Sequence, residues 1–449
     1  MSYIHYPRRR SFSQQQGLRW LIYLFLSLTF FVTVHDTPYV QRSLGDYNRS
    51  EDDIVENIQG GNVGRQLALL VLGAAAVLSI VSYSSTIPIR ADGVTSRLLI
   101  AFVSWSALSL FWADDHALAF KRLAGFAILC MVSFAIVRMF SFAEIVTLTF
   151  FVAALCLTIA IGLETATGAF RPWLSDYRFA GTQHPNGEGI ECGLLCLSGI
   201  VMAQLEKKRS RWYTASAAVG GLFLFFTHSR TSLIATILAL GVIILLGGSR
   251  ASKRVILSAV LISGLCFLML VGSGLLPSVK NALLLERDGD FSVGTFAGRT
   301  DIWQDVEPYI LARPLIGHGY MAFWTPERIA EISDLERWGV PDSHSAYVDY
   351  LLSLGAVGLI LYLLCLAQGL RKAFQLSRTS RTNEAGFMGA ILVFGLVNGF
   401  FESAIGEGSL LMFLCIIALI WIAFAAGDPT PSAIPDRTFE TELDRTAHA

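Results

Sequence analysis

The sequence predicts an all-α integral membrane protein of about twelve transmembrane helices, with a large external loop containing short amphipathic helices between helices nine and ten. Three observations predict it. Hydrophobic residues make up 53% and charged residues 15% of the chain, at a mean hydropathy of +0.55, a balance of integral membrane proteins and not of soluble domains. The apolar residues gather in runs near the ~20-residue length that crosses a bilayer as a helix. Between Pro277 and Asp342 the apolar pattern gives way to one long, charged and varied stretch, and a loop of this length between spans is usually functional.

In chain order the qualifying segments are 18–34, 66–87, 98–113, 123–140, 144–163, 188–205, 212–228, 231–248, 255–276, 344–367, 385–402 and 407–425. The first follows Arg8, Arg9 and Arg10. A signal peptide is the competing reading there, but no small-x-small site follows Val34, so the segment is expected to stay as an anchor.

Lys and Arg in the short loops set the orientation. With the N-terminus inside, the inner loops hold Arg90 and Arg97, then Lys207, Lys208, Arg209 and Arg211, then Arg250, Lys253 and Arg254, then Arg371, Lys372, Arg378 and Arg381. The outer loop 35–65 instead carries Asp46, Glu51, Asp52, Asp53 and Glu56 against Arg42, Arg49 and Arg65, and the turn around 403–407 has Glu402 and Glu407 and no cation. The expected organisation is a cytoplasmic tail 1–17, helices one to nine in 18–276, a periplasmic loop 277–343, helices ten to twelve in 344–426, and a charged cytoplasmic tail 427–449 expected to be disordered.

The net charge of -1 argues against nucleic acid as a partner. All seven cysteines lie in apolar runs, so no disulfide framework is expected. Cys192 and Cys196 stand one helical turn apart, a spacing that fits small packing residues better than a metal pair without further ligands.

This orientation gathers the unusual polar residues on one membrane surface. The turn Thr227-His228-Ser229-Arg230, the segment from Asp176 to Gly187 with Arg178, His184 and Asn186, the loop's Arg299, Arg313 and His318, and Asp342 with His344 at the loop's end all fall outside. Arg230 and Arg299 offer planar, permanently charged forks suited to phosphate oxygens. His344 has the side chain that takes up a proton near neutral pH, with an ordinary pKa of about 6.5. A base beside two phosphate clamps at the lipid boundary suits a lipid-phosphate leaving group: it deprotonates an acceptor hydroxyl while the clamps hold the departing charge.

Plainer readings stand beside these. Arg230 reads first as an interfacial anchor at a span end. Arg299 opens a run in which Ile302, Trp303, Val306, Tyr309 and Ile310 recur at helical spacing, an interfacial helix that packs on the membrane or the bundle. A cation in a first turn opposes the helix dipole, so an anionic partner is expected there. Asp342 and Ser343 are N-cap candidates for the following helix. Asp288-Gly289-Asp290 matches a divalent-metal D-x-D pattern but reads first as a turn. Glu188 and Glu191 share a face of their helix and must point into the bundle or toward water, where an ion or proton path is the competing function.

Four stretches in order resemble the O-antigen ligase and Wzy-type polysaccharide polymerase superfamily: RFAGTQHPNGEG at 178–189, HSRTSL at 228–233, GRTDIWQDVEPYILARPLIGHGY at 298–320 and DSHSAYVDYLLSLGAVGLI at 342–360. The membrane layout is similar too. The resemblance implies metal-independent, inverting glycosyl transfer, with no cofactor, at the outer face of a bacterial inner membrane. The donor would be an undecaprenyl-diphosphate-linked oligosaccharide and the acceptor a glycan, within a lipid bilayer and alongside a chain-length regulator and export proteins. Arg230 and Arg299 match the family's diphosphate-binding arginines and His344 its essential histidine; Arg178, His184, Asn186, His318 and Asp342 are secondary candidates. Many ligases have Asn directly after that His, and Ser345 stands here. The resulting expectation is an exopolysaccharide polymerase, with a ligase that moves the glycan onto lipid A core as the alternative and a polysaccharide transporter as the rival of another class.

Overall fold

A computed structural model describes residues 63–82, 93–174, 177–247, 299–378, 382–403 and 409–425, together with Ile22, residues 24–32 and Val55. All regular structure among them is helical. The helices are α1 Val63–Ser82, α2 Val94–Leu108, α3 His116–Met139, α4 Phe142–Thr167, α5 Pro185–Leu205, α6 Ser210–Phe226, α7 Arg230–Gly247, α8 Arg299–Ala312, α9 Pro326–Glu336, α10 Ala346–Leu376, α11 Thr382–Asn398 and α12 Leu410–Ile420. All but α8 and α9 fall on apolar segments expected from the sequence, and α8 and α9 lie in the loop. Among the described residues seven helices are long and apolar enough to cross a membrane, with α11 and α12 shorter, against the twelve expected. The predicted ninth span 255–276, the loop up to residue 298 with Asp288 and Asp290, and the tails 1–17 and 427–449 lie outside the described residues.

Helix starts follow from short polar side chains that satisfy first-turn N–H groups. Asp115 accepts the Leu118 N–H at 2.9 Å to open α3. Ser141 and Glu144 form a reciprocal capping box at the start of α4. His184 accepts from Asn186 N–H at 3.2 Å to open α5, with Pro185 in its first position, where a missing N–H costs nothing. The bundle core is aromatic and aliphatic throughout, and α7 packs along α11 while α5 packs between α6, α4 and α7.

Helix α10 does not run unbroken. Gly355 has φ 65° and ψ −172°, which divides the helix after its first nine residues, Ala346 to Leu354. Loop residues 314–319 lie in the break and supply its missing partners. His318 N–H donates to Leu352 O at 2.8 Å and Gly319 N–H to Ser353 O at 2.9 Å, while Ala356 N–H donates to Pro314 O at 2.8 Å. Trp105 Nε1 donates to Leu354 O at 3.1 Å. A Cβ on Gly355 would meet Leu315 C at 2.2 Å, so only glycine permits this approach. Broken backbone at such a place is tolerated because protein groups replace the lost helix bonds.

The loop carries its own small core. Ile302 and Val306 of α8 are fully buried against Phe323, Ile329, Val340 and Leu352. The apolar stripe of α8 thus packs on the loop and on α10. Burial of each such side chain contributes roughly 1.5–3 kcal/mol, which fixes the first residues of α8 relative to the start of α10.

Candidate functional site

Three chain segments meet at the Glu402 carboxylate, just beyond the end of α11. Asn186, in the first turn of α5, donates from Nδ2 to Glu402 Oε1 at 2.6 Å. Arg299, the first residue of α8, donates from Nη2 to the same oxygen at 2.9 Å. Arg178 extends the chain of contacts: its Nη2 donates to Asn186 Oδ1 at 2.9 Å and its Nε to Thr227 O at 3.1 Å. The first turn of α7 docks on the same corner, where Ser232 Oγ lies 3.1 Å from Asn398 Oδ1 and 3.5 Å from Asn186 O. Arg230 starts that helix and is exposed.

His344 stands beside this corner on strained backbone, at φ 51°. Non-glycine residues in that region are uncommon and cluster at functional sites. Asp342 holds the turn, accepting the His344 N–H at 2.8 Å, and its Oδ1 lies 3.6 Å from His344 Nδ1, an ion-pair distance. Trp338 stacks on the His344 ring, with centroids 5.6 Å apart and planes 21° from parallel. Trp303 Nε1 donates to Ser343 O at 2.9 Å, so α8 also grips the residue before His344. The capping expected of Asp342 and Ser343 is taken by Ser345, which precedes α10 without a side-chain cap bond.

Behind the site the buried Asp349 ties both sides together. It accepts from Ser343 N–H at 3.3 Å and Trp324 Nε1 at 2.9 Å, and from the Ser403 hydroxyl. The neighbours of His344 and of Glu402 are thereby held by one carboxylate.

Burial pushes the Glu402 carboxyl above the usual carboxylate range; the charge of Arg299, then that of His344, opposes this, and Asp342 adds to it. The corner therefore juxtaposes a buried acid, an arginine fork and a histidine, each from a different part of the chain. Arg299 Nε makes no hydrogen bond among the described residues and is buried, so part of the fork is not engaged by Glu402.

The structure sets His318 and Arg313 elsewhere. His318 is buried, with Nδ1 2.8 Å from Asp114 Oδ2 and Nε2 3.0 Å from Tyr309 O. Arg313 and Arg328 approach the same Asp114 carboxylate at 2.8 and 2.6 Å. Burial acts to raise the Asp114 carboxyl, but the bonds from Arg328 and His318 and the charges of His318 and Arg313 outweigh it and hold it below the ordinary value. With both ring nitrogens occupied, His318 belongs to a clasp that fastens the loop to the turn before α3. His184, likewise, is accounted for as the cap of α5. Among the described residues no group of three His, Cys, Asp or Glu side chains is arranged to hold a metal ion.

Glu188 and Glu191 lie fully inside α5. Glu188 Oε2 accepts from Gln183 Nε2 at 3.4 Å, and Glu191 neighbours Cys156. Glu164, which the sequence reading did not single out, accepts from Ala180 and Gly181 N–H at 2.9 Å each and so shapes the turn before α5.

Sequence reasoning missed Glu402, Asp349 and Trp338 as parts of this corner. Glu402 was visible as an acid on a turn poor in cations and expected to be external, which is the signal that could have paired it with Arg299.

Residues 215–363 match the O-antigen ligase family model, a span that contains Arg230, Arg299 and His344. The exopolysaccharide production protein ExoQ of Rhizobium meliloti (strain 1021) is 24% identical over 281 residues, covering 59% of this chain and 62% of that protein. The chain thus aligns with less than two thirds of that relative's length. With the all-α membrane architecture, these matches make the chain similar in part to the O-antigen ligase family and to ExoQ.

Proposed function

We propose that this chain is an inverting, metal-independent glycosyltransferase that polymerises undecaprenyl-diphosphate-linked repeat units at the outer face of the bacterial inner membrane. The observation that carries the reading is the meeting of α5, α8 and the turn beyond α11 at Glu402, close enough to His344 for their charges to act on each other. Remote segments converge there on one arginine fork and one base.

In this reading His344, neutral, takes the proton of the acceptor hydroxyl through Nε2. The hydroxyl oxygen forms its bond to the anomeric carbon as the carbon–oxygen bond to the diphosphate breaks, and the electron pair leaves with the diphosphate. Arg299 and Arg230 stabilise that departing charge. Asp342 steadies the histidine turn, and Arg178 and Asn186 hold the corner from α5.

The test is purified chain with a polyprenyl-diphosphate-linked glycan extracted from cells that lack it. Lengthening of the lipid-linked product supports the polymerase. Transfer to a different lipid supports the ligase alternative, which the name of the matching family model favours. Loss of turnover in chelator, restored by a divalent ion, overturns the metal-independent mechanism and returns attention to Asp288 and Asp290. The transporter reading draws on the burial of Glu188 and Glu191 within a span, and turnover by purified chain in detergent counts against it.

A further inference from the structure

We infer that Trp338 is a positioning residue for His344, holding the plane of its ring and supporting the positive charge the ring acquires on taking a proton; this rests on the base reading above. The turn between α9 and α10 is bounded by two non-glycine residues in the left-handed region, Arg337 at φ 61° and His344 at φ 51°. Such strain persists only where surrounding contacts fix it. Arg337 ends α9 and turns the chain so that Trp338 lies over His344. Trp338 is itself held from two sides. Its ring packs against the loop core of α8 and α9, and its indole lies near the Glu336 carboxylate. Asp342 accepts the His344 N–H and faces the ring edge at Nδ1, 3.6 Å away, whereas the stacked indole is the contact on the ring face.

The charges around His344 show what the indole adds. Asp342 faces Nδ1 from the same turn, Glu402 acts from beyond α11, and Arg299 of α8 is paired with Glu402. Glu336 lies near the indole. An indole face attracts a cation stacked on it, and Trp338 presents that face to the His344 ring. Trp338 therefore acts on both orientation and protonation of the ring.

The experiment compares Trp338→Leu, Trp338→Phe and His344→Ala in the detergent-solubilised full chain. Turnover of the extracted polyprenyl-diphosphate-linked glycan is followed across pH, with the melting temperature of each variant. Trp338→Leu should lower kcat roughly tenfold through ring misplacement, leave KM for the donor close to its original value, and move the acid limb to lower pH by about half a unit. Trp338→Phe, which keeps an aromatic face, should recover most of the rate and return the limb. Unchanged kcat and an unmoved limb in Trp338→Leu overturn the inference. So does a loss that Trp338→Phe does not recover and that tracks a fall in melting temperature, which marks a packing role. If His344→Ala keeps its turnover, the base reading itself fails; if His344→Ala is inactive while Trp338→Leu is normal, this inference alone fails.

Discussion

Arg299 donates to Glu402 at 2.9 Å, and that contact joins the first residue of α8 to the turn beyond α11. A cation in a first helical turn opposes the helix dipole and calls for an anion. The protein supplies that anion itself. Arginine carries five N–H donors, and Glu402 engages Nη2 while Nε stays buried without a hydrogen bond among the described residues. The carboxylate therefore orients the fork and leaves donors for a second anion, the role a diphosphate takes in the proposed reaction.

From this geometry follows the first prediction. Glu402→Gln keeps the shape but removes the charge that orients Arg299. Hydrogen bonds to charged groups contribute roughly 1.5–3 kcal/mol, so kcat/KM for the lipid-linked donor should fall about 10- to 100-fold. Asn186→Ala, which removes the other donor to the same oxygen, should have a smaller effect. Steady-state kinetics with the extracted donor decide; a Glu402→Gln variant with unchanged kcat/KM would falsify the orienting role.

The second concerns His344. As a base it works in its neutral form, so activity should fall as pH drops through its pKa. His344→Ala should abolish that limb together with most of the rate, by about 10²- to 10⁴-fold, the usual contribution of general acid–base catalysis. Near-normal turnover by His344→Ala would sink the mechanism.

The arginines are tested by charge-conserving change. Lysine keeps the charge of Arg230 and Arg299 but cannot reproduce a planar two-pronged contact. Arg299→Lys should also loosen the Glu402 contact and so cost more than Arg230→Lys, whose side chain starts exposed at the head of α7. Donor KM should rise in both. Wild-type kinetics in both variants would remove the diphosphate clamps from the proposal.

Much of this arrangement was legible in the sequence, for identifiable reasons. Hydropathy locates the helices because a bilayer demands long apolar runs, and the stripe Ile302, Val306, Tyr309 announces α8. Cation counting along the loops led to the expectation of one surface for Arg178, Arg230, Arg299 and His344; of these, Arg178 and Arg299 are linked through Asn186 and Glu402. Long-range partnerships were not legible. Nothing local in the sequence says that Asp349 accepts from Trp324 and Ser343, or that Asp114 gathers His318, Arg313 and Arg328. The break in α10 was hidden for the same reason: Gly355 lies in an apolar run that reads as one helix, and only the docked residues 314–319 make its unusual backbone stable.

The last prediction separates chemistry from transport. Glu188 and Glu191 are buried within α5, where an ionised carboxylate is costly unless it serves a path or finds a partner. A transporter that works through these carboxylates would lose function in Glu188→Gln and Glu191→Gln while tolerating His344→Ala and Arg299→Ala. The enzyme reading expects the reverse. The glutamine variants should keep at least about a tenth of turnover, since removing a buried charge while keeping shape is often close to neutral. His344→Ala and Arg299→Ala should lose nearly all of it. Measuring product elongation by purified chain in detergent, where no transmembrane gradient exists, isolates the chemical step. Elongation that disappears in Glu188→Gln and Glu191→Gln but persists in His344→Ala and Arg299→Ala would move the functional site from the Glu402–His344 corner into the bundle.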